Sequence, residues 1–359
     1  MTKYRLDQIG KVIGGGTPST RKKQYYANKG IAWITPKDLS GYSKMYISHG
    51  ARDISQEGLD NSSAKLLPKD TVLVSSRAPI GYVALAANKI TTNQGFKSIV
   101  PNTDIVLPKY LYYLMLTKKD ELENVSSGST FKEVSGRVMK GFEVDIPSLD
   151  KQANIIQKIE PITRKIELNY QINANLQELR HILYKQLIAQ SALKTISIKE
   201  LYSIKYGKTL PKSQLLRTGT KVFGAKGFMG YTERKPLVNK ATVTITSRGS
   251  GAGFVSYIDE EEAFLTNNLL YLIDKTGLGL SFTYELIKSS KPSQFVTGSA
   301  QPQLTINNLK QLKLKIPTDR FIIEQFKNNT KRIEDCMSNN KIENNSLQKL
   351  RLAFLNYYF

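Results

Sequence analysis

The sequence predicts an α+β protein: two tandem α+β domains, separated and followed by long helices that form an antiparallel coiled coil, with a pseudo-two-fold internal repeat. Three observations predict this. The chain matches itself at a shift of about 171 positions. Each copy opens with short strand-like runs punctuated by turn residues, and each closes with a glycine-free segment of heptad spacing. The predicted parts are residues 1–150 (first α+β domain), 151–192 (first long helix), 193–318 (second α+β domain) and 319–359 (second long helix).

The internal repeat rests on short matches that recur in the same order. They pair 9–18 with 201–211, 76–77 with 247–248, 92–93 with 266–267, 128–129 with 298–299, 146–147 with 316–317, and 176–180 with 347–351. Each match is weak alone, but their common order indicates duplicated domains. A period this long does not fit a solenoid of short repeats.

Patterns within each copy predict mixed α+β structure. Runs of β-branched residues bounded by turn residues predict strands at 71–75 and 241–246. Apolar and aromatic runs predict short helices at 108–115 and 281–287.

Long helices are predicted after Pro147 and Pro317, because glycine then disappears until Gly207 in the first copy and entirely in the second. The predicted seam of the first helix is Ile155, Ile159, Ile162, Ile166, Asn169, Asn173, Leu176, Leu179 and Leu183. The seam of the second is Ile323, Phe326, Thr330, Ile333, Met337, Asn340, Asn344 and Leu347, continuing through Leu350, Phe354 and Tyr357.

The asparagines in the middle of both seams match pairwise at the repeat shift. They are Asn169, Asn173, Asn340 and Asn344. If the helices pair antiparallel, these side chains meet and fix the register; the alternative is that they face solvent. A helix over 151–190 would be ~60 Å long and would serve as a spacer as well as a pairing element.

The charge of the chain favours a polyanionic partner. Its 359 residues include 52 Lys+Arg against 30 Asp+Glu, for a formal net charge of +22. The surplus lies mainly in residues 1–150, which carry +7, and 191–318, which carry +10. The alternative is a generally basic soluble protein.

The composition of the chain is typical of a globular protein, and its cysteine content is typical of a reducing compartment. Hydrophobic residues make up 40% and charged residues 23%. The single cysteine, Cys336, excludes an internal disulfide. No apolar run of ~18 residues indicates a membrane span, and the N-terminus lacks a signal-type apolar stretch. We therefore expect a cytoplasmic protein without membrane contact.

Catalytic constellations are not found in the sequence. The glycine-rich stretch 247–254 could cradle a nucleotide or S-adenosylmethionine. The equivalent stretch 76–82 has one glycine, so a tight turn after a strand explains both. Residues 207–209 resemble the end of a P-loop without its earlier glycine, and the sequence lacks methyltransferase and nuclease motifs. His49, His181 and Cys336 form no metal-binding pattern, so we expect no catalytic residue, metal or cofactor in this chain.

Two basic α+β domains, each followed by a long helix, resemble the specificity (S) subunit of type I restriction–modification systems. Four kinds of short segment carry the resemblance. They are the opening segments 14–18 and 207–211, the Ser-Arg dipeptides 76–77 and 247–248, the closing segments 143–147 and 312–317, and the helix starts 151–152 and 324–325. The resemblance covers essentially the whole chain. One departure is that no further helix follows Phe359, which leaves open how the two ends of the chain meet.

This resemblance implies a non-catalytic subunit whose two target-recognition domains each bind one half of a bipartite, gapped DNA target. It also implies that the helices hold the domains apart and dock two methyltransferase (M) subunits, with or without restriction (R) subunits. S-adenosylmethionine is then expected in the partner adenine-N6 methyltransferase. The alternatives are a single-chain nuclease or methyltransferase, and an RNA-binding or structural scaffold.

Candidate residues for double-stranded DNA lie in loops that follow strands. Arg77 and Arg248 come first because each ends a strand beside a glycine turn; the alternative is a structural arginine paired with a local carboxylate. The other candidates are Arg21, Lys22, Lys23, Lys37, Lys132, Arg137, Lys208 and Lys226 for phosphates, and Gln301 and Gln303 for adenine edges. Tyr25, Tyr26 and Tyr231 are candidates for packing on sugars, with core packing as the alternative.

Overall fold

The computed structural model describes residues 1–77, 79–128 and 132–359. They form two compact units, one made of Met1–Asn169 with Glu343–Phe359 and the other of Tyr170–Ile342. Ala78 in the stretch 76–82 and Ser129 in the match 128–129 lie outside the described residues.

The first α+β domain belongs to the first unit. Its strands are β1 Thr2–Arg5, β2 Gly10–Gly14, β3 Tyr26–Ala27, β4 Ile31–Ile34, β5 Tyr46–Ile47, β6 Arg52–Ile54, β7 Val72–Val74, β8 Val83–Ala86, β9 Thr91–Thr92, β10 Lys97–Pro101 and β11 Glu143–Ile146. Its helices are α1 Leu6–Ile9, α2 Gln56–Asp60, α3 Pro108–Thr117, α4 Lys119–Asn124 and α5 Gly136–Gly141. The strands form the sheets β1-β11, β2-β10-β7-β8-β5 and β3-β6-β4-β9. The long helix α6 Leu149–Gln190 follows.

The second α+β domain belongs to the second unit. Its strands are β12 Leu193–Ser197, β13 Tyr202–Tyr206, β14 Thr220–Gly224, β15 Gly227–Thr232, β16 Thr242–Thr246, β17 Val255–Ile258, β18 Phe264–Leu265, β19 Leu269–Asp274 and β20 Lys313–Pro317. Its helices are α7 Ile198–Leu201, α8 Leu280–Ser289 and α9 Ile306–Leu309, and the long helix α10 Arg320–Tyr358 follows. The strands form the sheets β12-β20, β13-β19-β16-β17 and β15-β14-β18.

The two domains share one topology, as the repeat predicts. In each, the first and last strands pair antiparallel, β1 with β11 and β12 with β20. Each also has a parallel pair, β4 with β9 and β14 with β18, beside a larger antiparallel sheet. The predicted α+β class with tandem repeated domains is therefore confirmed.

The predicted strands and short helices are present where the β-branched and aromatic runs placed them. The middle strands β7 and β16 are buried along their whole length, which explains why both are continuous runs of apolar and β-branched residues. The proline at the start of α3 occupies the first turn, where its missing N–H costs nothing.

The long helices pair antiparallel within each unit. In the first unit, Lys165 lies 3.3 Å from Glu343, and Lys158 donates to the Tyr358 hydroxyl at 3.2 Å. In the second unit, the amide of Asn340 donates to Asn173 at 2.8 Å, and the ring of Tyr184 lies 6.1 Å from that of Phe326. In both units, residues later in α6 meet residues earlier in α10, which confirms the predicted direction of pairing.

The predicted seam is right in the middle of the helices and wrong at three positions towards their C-termini. Leu179, Leu350 and Tyr357 are exposed. The buried positions there are Arg180 and Tyr184 in α6, and Leu355 in α10. These parts of the helices pack on an α+β domain as well as on each other, and the positions buried there include the charged Arg180, which an apolar heptad pattern does not select.

The last residues of the chain complete the first unit. Leu355 belongs to the same buried cluster as Leu6 and Ile159, with Phe354 and Tyr358 packed against it. The Phe359 ring lies 5.1 Å from that of Tyr110 in α3. The C-terminus is thus held by the core of the first domain, which settles the question that the sequence left open.

Neither long helix, nor any other helix in the described part of the chain, has an apolar stretch long enough to cross a bilayer.

Candidate nucleic-acid interface

Backbone hydrogen bonds show that the dipeptides Ser76-Arg77 and Ser247-Arg248 occupy equivalent positions in the two domains. In the first domain, Ser76 N donates to Gly95 O at 2.7 Å, and Val134 N donates to Ser76 O at 2.9 Å. In the second domain, Ser247 N donates to Asn268 O and Leu304 N donates to Ser247 O, both at 2.8 Å. Arg77 and Arg248 therefore leave equivalent strand ends, and both are exposed.

Arg77 has a carboxylate partner. Its Nε donates to Glu133 Oε2 at 2.9 Å, and Lys97 Nζ lies 3.3 Å from Glu133 Oε1. Partial burial raises the pKa of the Glu133 carboxyl, but the hydrogen bonds from Arg77 and Lys97 outweigh it and hold the pKa below its usual value. Glu133 thus stays ionised and holds Arg77 in one geometry.

Arg248 lacks this partner, because the residue that faces it in the isolated β-bridge is Gln303 rather than a glutamate. Within the described part of the chain, no carboxylate lies in ion-pair distance of Arg248. Gln303 is half-buried and its backbone is locked to Thr297 by two hydrogen bonds of 2.8 and 2.9 Å, while Gln301 is exposed. The second domain therefore presents an unpaired guanidinium beside two carboxamides.

The turn after β18 brings together candidate DNA-binding residues of the second domain. Lys208 N donates to Leu265 O and Thr266 N donates to Phe223 O, both at 2.9 Å. The next residue, Asn267, accepts from the Ser247 hydroxyl at 3.2 Å. This turn brings three segments to one end of the sheets. They are Lys208, the loop after β14 that contains Lys226, and Ser247, which precedes Arg248. The exposed Asn268 in the same turn was not among the sequence candidates.

The first domain repeats this frame around residues 92–95. Gly16 N donates to Thr92 O and Asn93 N donates to Ile34 O, both at 2.9 Å. Asn93 is thus the structural equivalent of Thr266, one residue away from the alignment of 92–93 with 266–267. Lys37 follows Ile34 by three residues, as Lys226 follows Phe223, so both occupy the corresponding loop.

The opening glycines permit a close approach of two backbones in this frame. A Cβ at Gly15 would overlap Asn93 O, and a Cβ at Gly207 would overlap Thr266 O. The glycine-rich opening segments are thereby explained by packing against the turn that carries the candidate residues.

Arg21, Lys22 and Lys23 precede β3, whereas Lys37 follows the opposite end of β4, which β6 separates from β3. Lys22 Nζ donates to the Tyr25 hydroxyl at 2.9 Å, and that hydrogen bond raises the pKa of Lys22. Lys23 lines a cleft of about 550 Å³ with His49 and Arg52. These residues form a second basic area of the first domain and are not joined to Arg77.

A basic cleft in the first domain includes cations that the sequence did not single out. Arg137 and Lys97 line a space of about 680 Å³ together with Arg5 and Lys140. Because Lys97 also binds Glu133, this cleft adjoins Arg77, and the exposed Lys132 precedes Glu133. Arg5, Lys97 and α5, which carries both Arg137 and Lys140, come from separate parts of the chain. They meet beside the β2–β10 pair, so local patterns singled out only Arg137.

The glycine-rich stretch 247–254 is a tight turn between two strands. Gly253 N donates to Thr246 O at 2.8 Å, as Gly81 N donates to Ser75 O at 3.0 Å in the first domain. Both glycines have a φ of +84°. Three further residues that the sequence analysis considered have structural contacts. Tyr25 is buried, Tyr26 packs on Trp33, and His181 Nδ1 lies 2.8 Å from Glu285. The described residues contain no cluster of three or more metal-ligating side chains.

Comparison with known proteins identifies the repeated unit. A family described as the type I restriction modification DNA specificity domain matches residues 1–178 and, a second time, residues 191–351. The chain belongs to this family. Each of its two specificity domains thus includes one α+β domain and most of a long helix.

Individual relatives agree with this. Over 183 residues the chain is 43% identical to the MjaIX type I restriction enzyme specificity subunit of Methanocaldococcus jannaschii, covering 50% of this chain and 42% of the relative. It is 21% identical over 343 residues to the EcoprrI specificity subunit of Escherichia coli, covering 87% and 82%. The alignment with the first relative therefore spans a little under half of that protein.

A solved structure has the same fold. The S subunit of a type I restriction–modification system from M. genitalium superposes with a TM-score of 0.57 at 18% identity, covering 99% of this chain and 94% of the other.

Proposed function

We propose that this chain is the non-catalytic DNA-recognition subunit of a type I restriction–modification complex and that it binds a bipartite, gapped DNA target. The observation that carries the proposal is the duplicated specificity domain, in which equivalent backbone hydrogen bonds around the two arginines present different side chains. Arg77 faces Glu133 in one domain, and Arg248 faces Gln303 in the other. Two similar frames with different exposed groups suit two different half-sites.

The exposed groups have the chemistry that duplex DNA requires. Lysines and arginines contact phosphates and position a protein on the duplex, while arginine and glutamine side chains distinguish base edges in the major groove. The positive surplus of both domains supports electrostatic attraction to the backbone, which weakens steeply with added salt.

Partner subunits supply the chemistry in this proposal. Two methyltransferase subunits dock on the long helices and carry S-adenosylmethionine, and restriction subunits join where they are present. The relatives' names as specificity subunits of restriction enzymes support this assembly. The complex acts on the DNA of the cytoplasm.

The proposal is tested by coexpressing the chain with its methyltransferase subunit and sequencing methylated adenines across the host genome. We expect an asymmetric motif with a gap of unspecified bases. A continuous palindrome, or no motif, would contradict the proposal.

A domain exchange tests the assignment of one half-site to each domain. Replacing residues 1–150 with the corresponding domain of a relative should change one half of the methylated motif and leave the other half intact. A change in both halves would show that the two domains do not act separately.

A further inference from the structure

The β14–β15 hairpin of the second domain ends in an apolar tip. Phe228 and Met229 are 53% and 44% exposed, and the neighbouring Leu216, bonded to Tyr231 through its backbone, is 42% exposed. Lys226 precedes them in the turn and is also exposed. A single exposed apolar residue is ordinary in a soluble protein, but a cluster on a projecting tip marks an interaction site.

The tip is held in a fixed position. The Phe228 ring lies 5.8 Å from that of Phe223 and 5.2 Å from that of Tyr231, edge-on in both cases. At the other end of β14, Lys221 bonds to Glu260 at 2.6 Å, and Lys341 of α10 bonds to the same carboxylate at 2.8 Å. A braced aromatic ring loses little conformational entropy when it contacts a partner.

The hairpin belongs to the same end of the domain as the candidate DNA residues. Strand β14 pairs with β18, and the turn that follows β18 binds the strand end before Arg248. Lys208 is bonded to the last residue of β18. The apolar tip is thus framed by cations, which indicates a polyanion as the partner and disfavours an uncharged protein surface.

The described residues of the first domain form no such tip. At the equivalent place, after β4, the chain makes a short turn in which Asp38 accepts hydrogen bonds from Thr35 N at 2.7 Å and Ala51 N at 2.9 Å. Among the described residues of that domain, the large exposed apolar side chains are Met1, Leu66 and Val125, and these lie elsewhere.

We propose that Phe228 and Met229 form a wedge that stacks on or between the base pairs of duplex DNA, a device that has no counterpart among the described residues of the first domain. Phe and Met are side chains that architectural DNA-binding proteins insert between base steps, where they unstack and bend the duplex. The proposal rests on the proposed function, because it needs the second domain to bind DNA.

The test uses the purified full chain with a 40-base-pair duplex of random sequence, since stacking on an aromatic ring tolerates any base. Fluorescence anisotropy gives the affinity, and permanganate reactivity reports unstacked thymines. We expect Phe228→Ala to bind ~10-fold more weakly and to lose the permanganate signal, with Phe228→Leu between that variant and the wild type. Phe321→Ala is the matched control, because Phe321 is 65% exposed on α10.

The results distinguish failure of the wedge from failure of the proposed function. If Phe228→Ala keeps both affinity and thymine reactivity while the wild type binds DNA, the wedge is refuted and the proposed function stands. If the wild-type chain does not bind the duplex, the proposed function itself fails. A photocrosslinking phenylalanine analogue at position 228 should label the DNA; labelling only a methyltransferase subunit in the assembled complex would overturn the wedge.

Discussion

Single residues distinguish two domains whose backbones are alike. Glu133 and Gln303 occupy equivalent places opposite an arginine, yet one binds its arginine and the other does not. An ionised carboxylate also repels DNA phosphates, so this one position changes both the geometry and the local charge. We therefore expect unequal contributions from Arg77 and Arg248 to DNA binding.

Replacing Arg248 with alanine should weaken binding of a random-sequence duplex by about tenfold, because a free guanidinium makes a charge-assisted contact worth ~1–3 kcal/mol. Arg77→Ala should cost less, since part of its charge is already neutralised by Glu133. Anisotropy titrations at one fixed salt concentration measure both. Equal losses would show that the Glu133 pair does not restrain Arg77.

Reciprocal changes at the facing positions should have opposite effects. Glu133→Gln removes a charge that repels phosphate, so affinity for the duplex should rise by about threefold at low salt. Gln303→Glu should lower it by a similar factor. Because the pKa of Glu133 is lowered, the carboxylate is ionised throughout pH 5.5–8, and the effect of Glu133→Gln should be constant over that range. An effect that disappears towards pH 5.5, where a carboxyl with a raised pKa would take up a proton, would contradict this.

Sequence patterns located these arginines but not their partners. Arg77 and Arg248 were found because each follows a β-branched run and precedes a glycine turn, which are local features. Glu133, Lys97 and the basic cleft depend on strands that meet from distant parts of the chain. Phe228 is not among the sequence candidates, because its exposure depends on how β14 pairs with β15.

At the scale of elements, polar side chains inside the paired helices fix how they meet. Asn169 donates to Asn344 at 2.9 Å in the first unit, and Asn340 donates to Asn173 at 2.8 Å in the second. The two contacts are equivalents under the repeat. Asn169 also donates to Glu343, and this hydrogen bond, with Lys165, holds the pKa of Glu343 below its usual value.

Asn169→Leu should destabilise the first unit by about 2 kcal/mol, because it leaves the buried Asn344 without its donor. Adding Asn344→Leu should recover most of the loss, since an apolar pair replaces a half-satisfied polar one. Denaturant unfolding followed by the fluorescence of the single tryptophan, Trp33, measures this in the first unit. Asn175→Leu, on an exposed position of the same helix, is the control.

A buried ion pair joins the helix α6 to the second domain. Arg180 Nε donates to Glu285 Oε1 at 3.1 Å with both side chains 1% exposed, and the guanidinium lies 4.8 Å from the centre of the Tyr284 ring. Arg180→Leu should cost ~3–5 kcal/mol, because Glu285 would remain buried without the guanidinium and with only His181 beside it. Arg164→Leu, at an exposed site of α6, should change stability little. Calorimetric melting of the two variants would show whether this pair anchors the helix.

Heptad spacing predicted the N-terminal and middle parts of these helices and failed towards their C-termini, where the buried Arg180 is charged and the exposed Leu179 and Leu350 are apolar. Around Asn169 and Asn344 the seam follows the spacing. Beyond that point Arg180 and Leu355 turn inward to an α+β domain, while Leu179 and Leu350 turn outward. The same turn occurs in both copies, so it belongs to the repeated design of the fold.

At the scale of the whole molecule, the first unit is assembled from both ends of the chain. The residues Glu343–Phe359 lie far along the chain from Met1–Asn169, yet they fold with them into one unit. The antiparallel pairing expected from the asparagines directs the end of the last helix towards the first domain, but it does not show that the final residues enter the core of that domain. The buried aromatic and aliphatic contacts of those residues show this.

Leu355→Ala should therefore destabilise a domain that lies hundreds of residues earlier in the sequence. Leu355 is 6% exposed in the first core, so losing its side chain should cost about 3 kcal/mol through lost burial and the cavity left behind. Trp33 lies in the same unit, and its fluorescence during urea unfolding should show a lower midpoint. Leu352→Ala, at a position 57% exposed on the same helix, should leave that midpoint unchanged within about 0.5 kcal/mol. If Trp33 does not sense Leu355→Ala, the C-terminal segment does not stabilise the first domain, and the chain is not closed in this way.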